Sequence, residues 1–170
     1  MEDKKISALI MKELVILRHA KSNRNYLVED SNRPLSPEGI DRIKRVSLHK
    51  SSYFENTDII LSSPAIRALH TAMIVINTLE VSLDKLSIDK HLYTFSGDDV
   101  IDYVYALNDQ WQKVVIVGHN PAFTETINHF SNERINHLRT AGLAQITFDA
   151  KHWTDVGLGE VAFGQKNNSF

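Results

Sequence analysis

Residues 14–22 read Leu14-Val15-Ile16-Leu17-Arg18-His19-Ala20-Lys21-Ser22, so four aliphatic residues run directly into an arginine and a histidine. A continuous aliphatic run of this length is typical of a strand buried on both faces. Arginine and histidine are rarely buried without partners, so the strand is expected to end at Arg18 and the loop to begin at His19. In open α/β sheets, ligands bind outside the carboxyl ends of the strands, which makes this junction a candidate site. Taken alone, it is equally compatible with an ordinary strand end that carries two solvated side chains.

Strands and helices alternate along the rest of the sequence. Strands are predicted at 12–18, 58–61, 86–89, 113–118, 143–148 and 160–163. Helices are predicted at 37–50, 64–79, 98–109 and 121–130, each with apolar residues three or four apart on one face. The alternation predicts an α/β fold: a three-layer α/β/α sandwich with a mainly parallel sheet and helices on both faces. The last two strands are expected to lie antiparallel at an edge.

The bulk composition is that of a globular domain. The 170 residues suit one domain over 1–170, with residues 1–11 as an N-terminal extension, and 42% of them are hydrophobic. A net charge of −2 argues against nucleic acid as a partner. No apolar run approaches the roughly 20 residues of a membrane span, so no membrane partner is expected. The chain has no cysteine, which suits a reducing compartment, and we expect a cytoplasmic protein.

Three of the four prolines follow a serine or asparagine at a predicted helix start: Pro37, Pro64 and Pro121. Helix N-termini carry unpaired backbone N–H groups and a partial positive charge, so they attract anions. Arg67 lies one turn into the helix at Pro64, and His119 lies on the turn after the strand 113–118. Because the carboxyl ends of parallel strands meet at one edge of a sheet, four side chains are expected to converge there: Arg18, His19, Arg67 and His119.

Two arginines and two histidines near helix N-termini suit a doubly charged anion, and phosphate fits best. A neutral histidine can act as a nucleophile, and a second histidine, when protonated, can stabilise charge on a transferring phosphoryl group. No aspartate-rich metal site accompanies them, so neither a metal nor a cofactor is expected. Plainer interpretations exist, with Arg67 as an exposed helix residue and His119 as a turn cap. The other histidines lack metal-ligand spacing and are interpreted as surface or core residues: His49, His70, His91, His129, His137 and His152.

Five motifs, in order, resemble those of the histidine phosphatase superfamily, which shares the phosphoglycerate mutase fold. They lie at 17–22, 33–39, 61–72, 117–121 and 140–144, and the last resembles the closing motif of short SixA-type phosphohistidine phosphatases. The resemblance covers roughly residues 12–165. It implies that His19 is the phosphorylated nucleophile and that Arg18, Arg67 and His119 complete the phosphate pocket. It also implies contacts of phosphate or substrate with Ser22, Arg33 and Asn120.

One departure from the family concerns the general acid. Many members place a glutamate after the third strand, and Thr94 stands at about that place in this sequence. Asp98 or Asp99 are alternatives, although they are better explained as the start of the next helix.

The resemblance implies a metal-independent phosphatase with a phosphohistidine enzyme intermediate, acting on phosphohistidine in proteins. Two other functions stay open, a small-molecule phosphomonoesterase on the same fold and a non-catalytic phosphoprotein-binding module. The expected partner is therefore a phosphorylated protein or a small phosphorylated substrate, with a phosphate ion in the pocket.

Overall fold

Six strands and four helices alternate along residues 11–165, the part of the chain that the computed structural model describes. The strands are β1 (Met11–Arg18), β2 (Ile59–Ser62), β3 (Leu86–Ile88), β4 (Lys113–Gly118), β5 (Leu143–Asp149) and β6 (Glu160–Phe163). The helices are α1 (Pro37–His49), α2 (Ile66–Thr78), α3 (Gly97–Tyr105) and α4 (Ala122–Phe130). The predicted alternation is thus confirmed, with shifts of a few residues at element ends.

All six strands form one sheet in the order β3-β2-β4-β1-β5-β6. The first four in that order are parallel, and β5 and β6 are antiparallel additions beside β1. The predicted mainly parallel sheet with two antiparallel strands at one edge is confirmed.

The central strands are buried on both faces, as their continuous aliphatic runs predict. Along β1, Leu14 and Ile16 point to one face and Val15 and Leu17 to the other, and all four are fully buried. The first face packs against α3 and α4, and the second against α1 and α2. This arrangement is the three-layer α/β/α sandwich predicted from the sequence.

The register of the sheet decides which loops meet. Arg18 at the end of β1 pairs with Gly118 at the end of β4, and Ser62 at the end of β2 pairs with Val117. The carboxyl ends of β1, β4 and β2 therefore lie side by side. The loops that leave them lead to the N-termini of α1, α4 and α2 respectively, all along one edge of the sheet.

Two helix starts differ from the sequence-based expectation. Pro37 is the first residue of α1, and the Ser36 hydroxyl accepts the Gly39 N–H, as predicted. In contrast, α2 begins at Ile66 rather than at Pro64, since the Ser63 hydroxyl is committed to other contacts and Ala65 is the N-cap. Similarly, α4 begins one residue after Pro121.

The buried face of α2 also differs from the prediction. Met73 is 47% exposed, although its spacing of four residues from Leu69 and three from Ile76 predicts a place on the buried face. The buried stripe instead runs through Arg67, Ala68, Thr71, Ala72 and Val75, because the helix turns its polar residues at positions 67 and 71 toward the end of the sheet.

The first strand starts earlier than expected. Met11, assigned from the sequence to an N-terminal extension, is the first residue of β1 and pairs with Asp149 of β5. Residues 1–10, the rest of that predicted extension, lie outside the described residues. Among residues 11–165, each helix is too short or too polar to reach across a bilayer.

Candidate active site

The carboxyl ends of β1, β2 and β4 open into one cleft of about 1060 Å³. Its lining includes all seven side chains that the sequence assigned to the nucleophile or to phosphate and substrate contacts: Arg18, His19, Ser22, Arg33, Arg67, His119 and Asn120. The structure therefore brings together residues from four separate parts of the chain. Their placement is observed, while their chemical roles stay predictions.

His19 lies just beyond β1 and is only 6% exposed. Its backbone N–H donates to the carbonyl of Gly118 (3.0 Å), which holds the residue beside the end of β4. In the ring, Nδ1 lies 2.7 Å from the carbonyl oxygen of Ala20, and Nε2 accepts the Nε–H of Arg67 at 3.3 Å. A guanidinium only donates, so Nε2 must be unprotonated and Nδ1 must carry the proton.

The charge state of His19 follows from its surroundings. Burial is the largest cause that lowers the pKa of His19 to about 4, and the charges of Arg67, Arg18 and Arg33 act in the same direction. The ring is therefore neutral at pH 7, with a lone pair on Nε2. This is the form that a nucleophilic histidine requires.

Arg67 is oriented by a carboxylate from the loop that follows β1. The side chain is 1% exposed, and its Nη1 and Nη2 donate to the carbonyl and the Oδ2 of Asp30 at 2.5 and 2.8 Å. Arg33 and Tyr93 also contact this carboxylate, at 3.0 and 2.8 Å. Burial alone would raise the pKa of Asp30, but the hydrogen bonds from Tyr93 and Arg67 hold it below its usual value. Asp30 is thus ionised, and it fixes the guanidinium so that Nε faces His19.

His119 follows β4 and is 1% exposed. Its Nε2 lies 2.7 Å from the Ser63 hydroxyl, and its Nδ1 is buried without a partner. The ring centroid lies 5.3 Å from that of His19, and Tyr93 and Phe95 pack against its other sides at 5.4 and 5.6 Å. Burial, followed by the neighbouring His19 and Arg67, lowers the pKa of His119 to about 3.

The lowered pKa of His119 affects the prediction that the second histidine is protonated. At pH 7 His119 is neutral in its own surroundings. A negatively charged group placed beside it would favour the protonated form and move the pKa back upward.

Arg18 and Asn120 share a support on the segment before β5. Arg18 Nη1 donates to the carbonyl of Leu138 and to His137 Nε2, both at 2.8 Å. Asn120 Nδ2 donates to the same carbonyl at 2.8 Å, while its Oδ1 accepts the N–H and the hydroxyl of Thr124 in the first turn of α4. Burial and the nearby Arg24 and Arg67 lower the pKa of Arg18, but a guanidinium stays charged at neutral pH.

The loop between β1 and α1 is fixed against the start of that helix. Ser22 pairs with Leu35 in an isolated antiparallel bridge, and the N–H and hydroxyl of Ser36 both donate to the carbonyl of Lys21. A Cβ on Gly39 would overlap that same carbonyl oxygen, so only a glycine allows α1 to approach so closely. These contacts place Ser22 and Arg33 along the cleft.

Three buried side-chain nitrogens of the described residues have no hydrogen-bond partner: Arg18 Nε, Arg33 Nε and His119 Nδ1. Buried polar groups are normally paired, because an unpaired one costs about 1–3 kcal/mol. All three belong to residues that line the cleft. The set is suited to an anion that would accept hydrogen bonds there.

Sequence reasoning missed several residues of the site. Asp30, Phe95 and His137 line the cleft, and His137 is an exposed cleft residue rather than an isolated surface or core histidine. The spacing of Asp30 three residues before Arg33 was one available signal, since the two form an ion pair. The contacts of Phe95 and His137 join distant parts of the chain and leave no local pattern.

The two aspartates considered as general acids lie outside the lining of the cleft. Asp98 and Asp99 stand in the first turn of α3 and are exposed, as their alternative interpretation predicted. Asp99 Oδ2 accepts the hydroxyl of Thr94 at 2.6 Å. Neither aspartate is among the described residues that line the cleft.

Comparison with protein families gives one match. The model of the histidine phosphatase superfamily (branch 1) matches residues 14–92, which include most of β1 and all of α1, β2, α2 and β3. The resemblance predicted from the motifs is thereby confirmed. The curated proteins contain no significant match to this sequence.

Solved structures extend the likeness over nearly the whole described chain. The protein histidine phosphatase SixA in complex with tungstate is 22% identical, with a TM-score of 0.74 over 88% of this chain and 94% of that one. A protein from Nakamurella multipartitia assigned as phosphohistidine phosphatase SixA is 20% identical, with a TM-score of 0.73 over 89% and 94%. A mycobacterial glucosyl-3-phosphoglycerate phosphatase is 12% identical, with a TM-score of 0.66 over 90% and 98%. These likenesses show that the fold is that of the phosphoglycerate mutase-like histidine phosphatases.

Proposed function

We propose, from the match to the histidine phosphatase superfamily and from the chemistry of the cleft, that this chain is a metal-independent phosphatase. It forms a phosphohistidine intermediate on His19 and acts on phosphohistidine in proteins. The observation that carries the proposal is the pairing of a neutral His19, whose lone pair is on Nε2, with three unpartnered buried nitrogens in the same cleft. A nucleophile and an anion-binding set in one place are what phosphoryl transfer needs.

In the first step, the Nε–H of Arg67 turns from His19 Nε2 to a phosphoryl oxygen, and the freed Nε2 lone pair attacks the phosphorus atom. A bond forms between Nε2 and phosphorus as the bond between phosphorus and the substrate ring nitrogen breaks, and its electron pair leaves with the ring. The ring of the substrate carries a proton on its other nitrogen, so it departs as neutral imidazole. The Nδ1 proton of His19 stays hydrogen-bonded to the Ala20 carbonyl, which stabilises the positive charge on the phosphorylated ring.

In the second step, a water oxygen attacks phosphorus and His19 leaves with its electron pair. The water protons pass to the phosphate product and to solvent, and His19 returns to its starting tautomer. Arg18, Arg67 and Arg33 carry the charge that offsets the phosphoryl oxygens in both steps. Nδ1 of His119, when protonated, donates to a phosphoryl oxygen.

The substrate class rests on the carboxylates of the cleft. Among the described lining residues these are Asp30 and Glu38, and each is engaged in an ion pair. Their pKa values are held low, that of Glu38 chiefly by the hydrogen bond from Lys21, so neither is a proton donor at neutral pH. An alkoxide leaving group needs such a donor, typically for a gain of ~10²–10⁴. An imidazole, which titrates near pH ~6.5, does not.

The test compares kcat/KM for a phosphohistidine peptide, a phosphoserine peptide and a sugar phosphate. We expect the phosphohistidine peptide to react far faster than either alkyl phosphate, with no change in Asp98→Asn or Asp99→Asn. Equal rates for the alkyl phosphates, lost in one of those variants, would instead favour the small-molecule phosphomonoesterase. Tight binding of phosphopeptide without release of phosphate would favour the binding module.

A further inference from the structure

Positive charge is concentrated around the cleft. Seven of its lining residues are among the nineteen lysines and arginines of the chain, but only two are among the twenty-one aspartates and glutamates. The cleft thus has a local excess of five positive charges in a protein whose net charge is −2. A single phosphoryl group carries at most two negative charges, so it leaves much of this excess uncompensated.

Three of these cations form an outer rim that the phosphoryl chemistry does not use. Arg24 comes from the loop after β1, Arg42 from α1, and Arg139 from the segment before β5. Within residues 11–165, none of the three forms an ion pair with a carboxylate. They come from three separate parts of the chain, and all three line the one cleft, with Arg24 and Arg139 exposed and Arg42 half-buried.

Exposed apolar side chains accompany the rim. Tyr26, Leu27 and Val28 are 58%, 105% and 49% exposed, and they lie in the same loop as Arg24. Phe95, 47% exposed, lines the cleft. Aromatic residues and arginines are enriched in protein interfaces, and adjacent exposed apolar residues mark surfaces that bind partners. A small metabolite would leave such an apolar loop tip unused.

We propose that the mouth of the cleft is a docking surface for an acidic protein segment that carries the phosphohistidine. The rim arginines Arg24, Arg42 and Arg139 pair with carboxylates flanking the phosphorylated residue, and the loop tip 26–28 packs on apolar side chains of the same partner. The inference rests on the proposed function and names its partner. Oppositely charged patches of this kind steer encounter and select the partner, and their effect weakens as salt rises.

Binding tests this surface independently of turnover. The probes are two phosphohistidine peptides of equal length, one with aspartates and one with asparagines flanking the phosphohistidine, and the protein is the full chain carrying His19→Ala. At low salt, we expect the peptide with aspartates to bind at least tenfold more tightly than the peptide with asparagines. In the double variant Arg24→Gln/Arg139→Gln, the ratio of the two affinities should fall by about tenfold. Arg45→Gln, on α1 but outside the cleft lining, is the matched control and should change nothing.

The loop tip has its own variant. Leu27→Ser should weaken binding of a folded acidic phosphoprotein, whereas Leu158→Ser, 66% exposed and outside the cleft lining, should not. Equal binding of both peptides, or a rim variant that weakens binding of an oligonucleotide but not of the acidic peptide, would overturn the docking proposal.

Turnover separates this proposal from the proposed function. If the wild-type protein releases phosphate equally fast from both peptides, the proposed phosphatase activity stands and the proposed docking surface is contradicted. Rim variants should lower kcat/KM for the acidic peptide while leaving hydrolysis of para-nitrophenyl phosphate unchanged. Protein that releases no phosphate from any probe would contradict the phosphatase, and the peptide affinities would still decide on the docking surface.

Discussion

The tautomer of His19 depends on Arg67, and the orientation of Arg67 depends in turn on Asp30. The Nε–H of Arg67 fixes the tautomer of His19, and Asp30 fixes the orientation of Arg67 through two hydrogen bonds. A residue from a loop thus orients the proposed nucleophile through one intervening side chain. A residue such as Asp30, which orients a side chain that contacts the proposed nucleophile, keeps the reacting groups in productive geometry. Its loss is therefore expected to lower the turnover rate.

The replacement His19→Gln is expected to abolish phosphatase turnover, because an amide nitrogen has no comparable lone pair with which to attack phosphorus. Glutamine keeps a polar group for Arg67, so the fold should survive with a small drop in Tm. Activity on a phosphohistidine peptide, circular dichroism and thermal unfolding check this prediction. His70→Gln, on α2 and outside the cleft lining, is the control. Residual activity near wild-type, with no acid-labile phosphoenzyme in the wild type, would contradict covalent catalysis.

Replacing Asp30 by asparagine removes the charge that orients Arg67 but keeps the side-chain size. We expect a loss of about tenfold in kcat/KM, since misplaced charge at the phosphoryl group costs transition-state stabilisation. Asp98→Asn should leave kcat/KM unchanged, because Asp98 is exposed and outside the cleft lining. The two variants are compared on one phosphohistidine peptide, and equal effects would show that Asp30 has no positioning role.

The two buried histidines should make the protein less stable in mild acid. Their pKa values are lowered to about 4 and about 3, so the folded state keeps both rings neutral while the unfolded state binds protons below about pH 6.5. The unfolded state then binds more protons, and the free energy of unfolding falls as pH drops from 6.5 toward 4.

This pH effect is measured by urea unfolding at pH 7 and pH 5. We expect a loss of roughly 1–2 kcal/mol for each histidine over that interval. His119→Asn should remove the share of the difference that belongs to His119. A free energy of unfolding that is equal at both pH values would show that these rings titrate normally in the folded state.

At the scale of the elements, three strand ends and the helices after them build the site. β4 lies between β1 and β2, so its His119 is placed between the groups that follow the other two strands. The loop after β1 is the longest of these connections, and it is held by the backbone of Lys21 and by the N-terminus of α1. The packing of that helix start therefore determines the position of Asp30 and Arg33.

The Gly39→Ala variant tests this packing. An added Cβ would overlap the backbone carbonyl of Lys21, which cannot move without shifting the loop. We expect a loss of about 1–3 kcal/mol in the free energy of unfolding, as for other overpacked sites, together with lower activity. Gly157→Ala is the matched control, because a Cβ there meets nothing within 4 Å. Similar unfolding curves for the two variants would show that α1 can move away at little cost.

At the scale of the whole molecule, the fold gathers positive charge at one edge of the sheet although the chain is slightly acidic overall. In the proposed mechanism, arginine side chains supply the charge that kinases obtain from Mg²⁺. Within residues 11–165, no three histidines, aspartates or glutamates are grouped so as to hold a metal ion.

Activity is accordingly expected to survive removal of divalent metals. Phosphate release from a phosphohistidine peptide is measured before and after dialysis against excess EDTA, and we expect the rate to change less than twofold. A loss of activity that one added metal restores would contradict the arginine-based mechanism. A known Mg²⁺-dependent phosphatase treated in parallel verifies that the chelation was complete.

The element order, the sheet type and the identity of the side chains at the strand ends follow from local patterns in the sequence. Buried parallel strands need continuous aliphatic runs, and β1 and β4 display them without interruption, so Arg18, His19 and His119 could be placed at one edge from local patterns. The start of α2 was wrong by two residues, because the hydroxyl of Ser63 is taken by His119 instead of capping the helix at Pro64.

The partners that surround those side chains come from distant parts of the chain and are visible only in the folded protein. Asp30 meets Arg67 across 37 positions, and His137 meets Arg18 across 119, distances along the chain that leave no periodic signal. The tautomer of His19 and the ion pairs of the cleft carboxylates depend on such contacts. Hydrogen bonds and charge act through space, whereas sequence patterns report the local burial of one strand or one helix at a time.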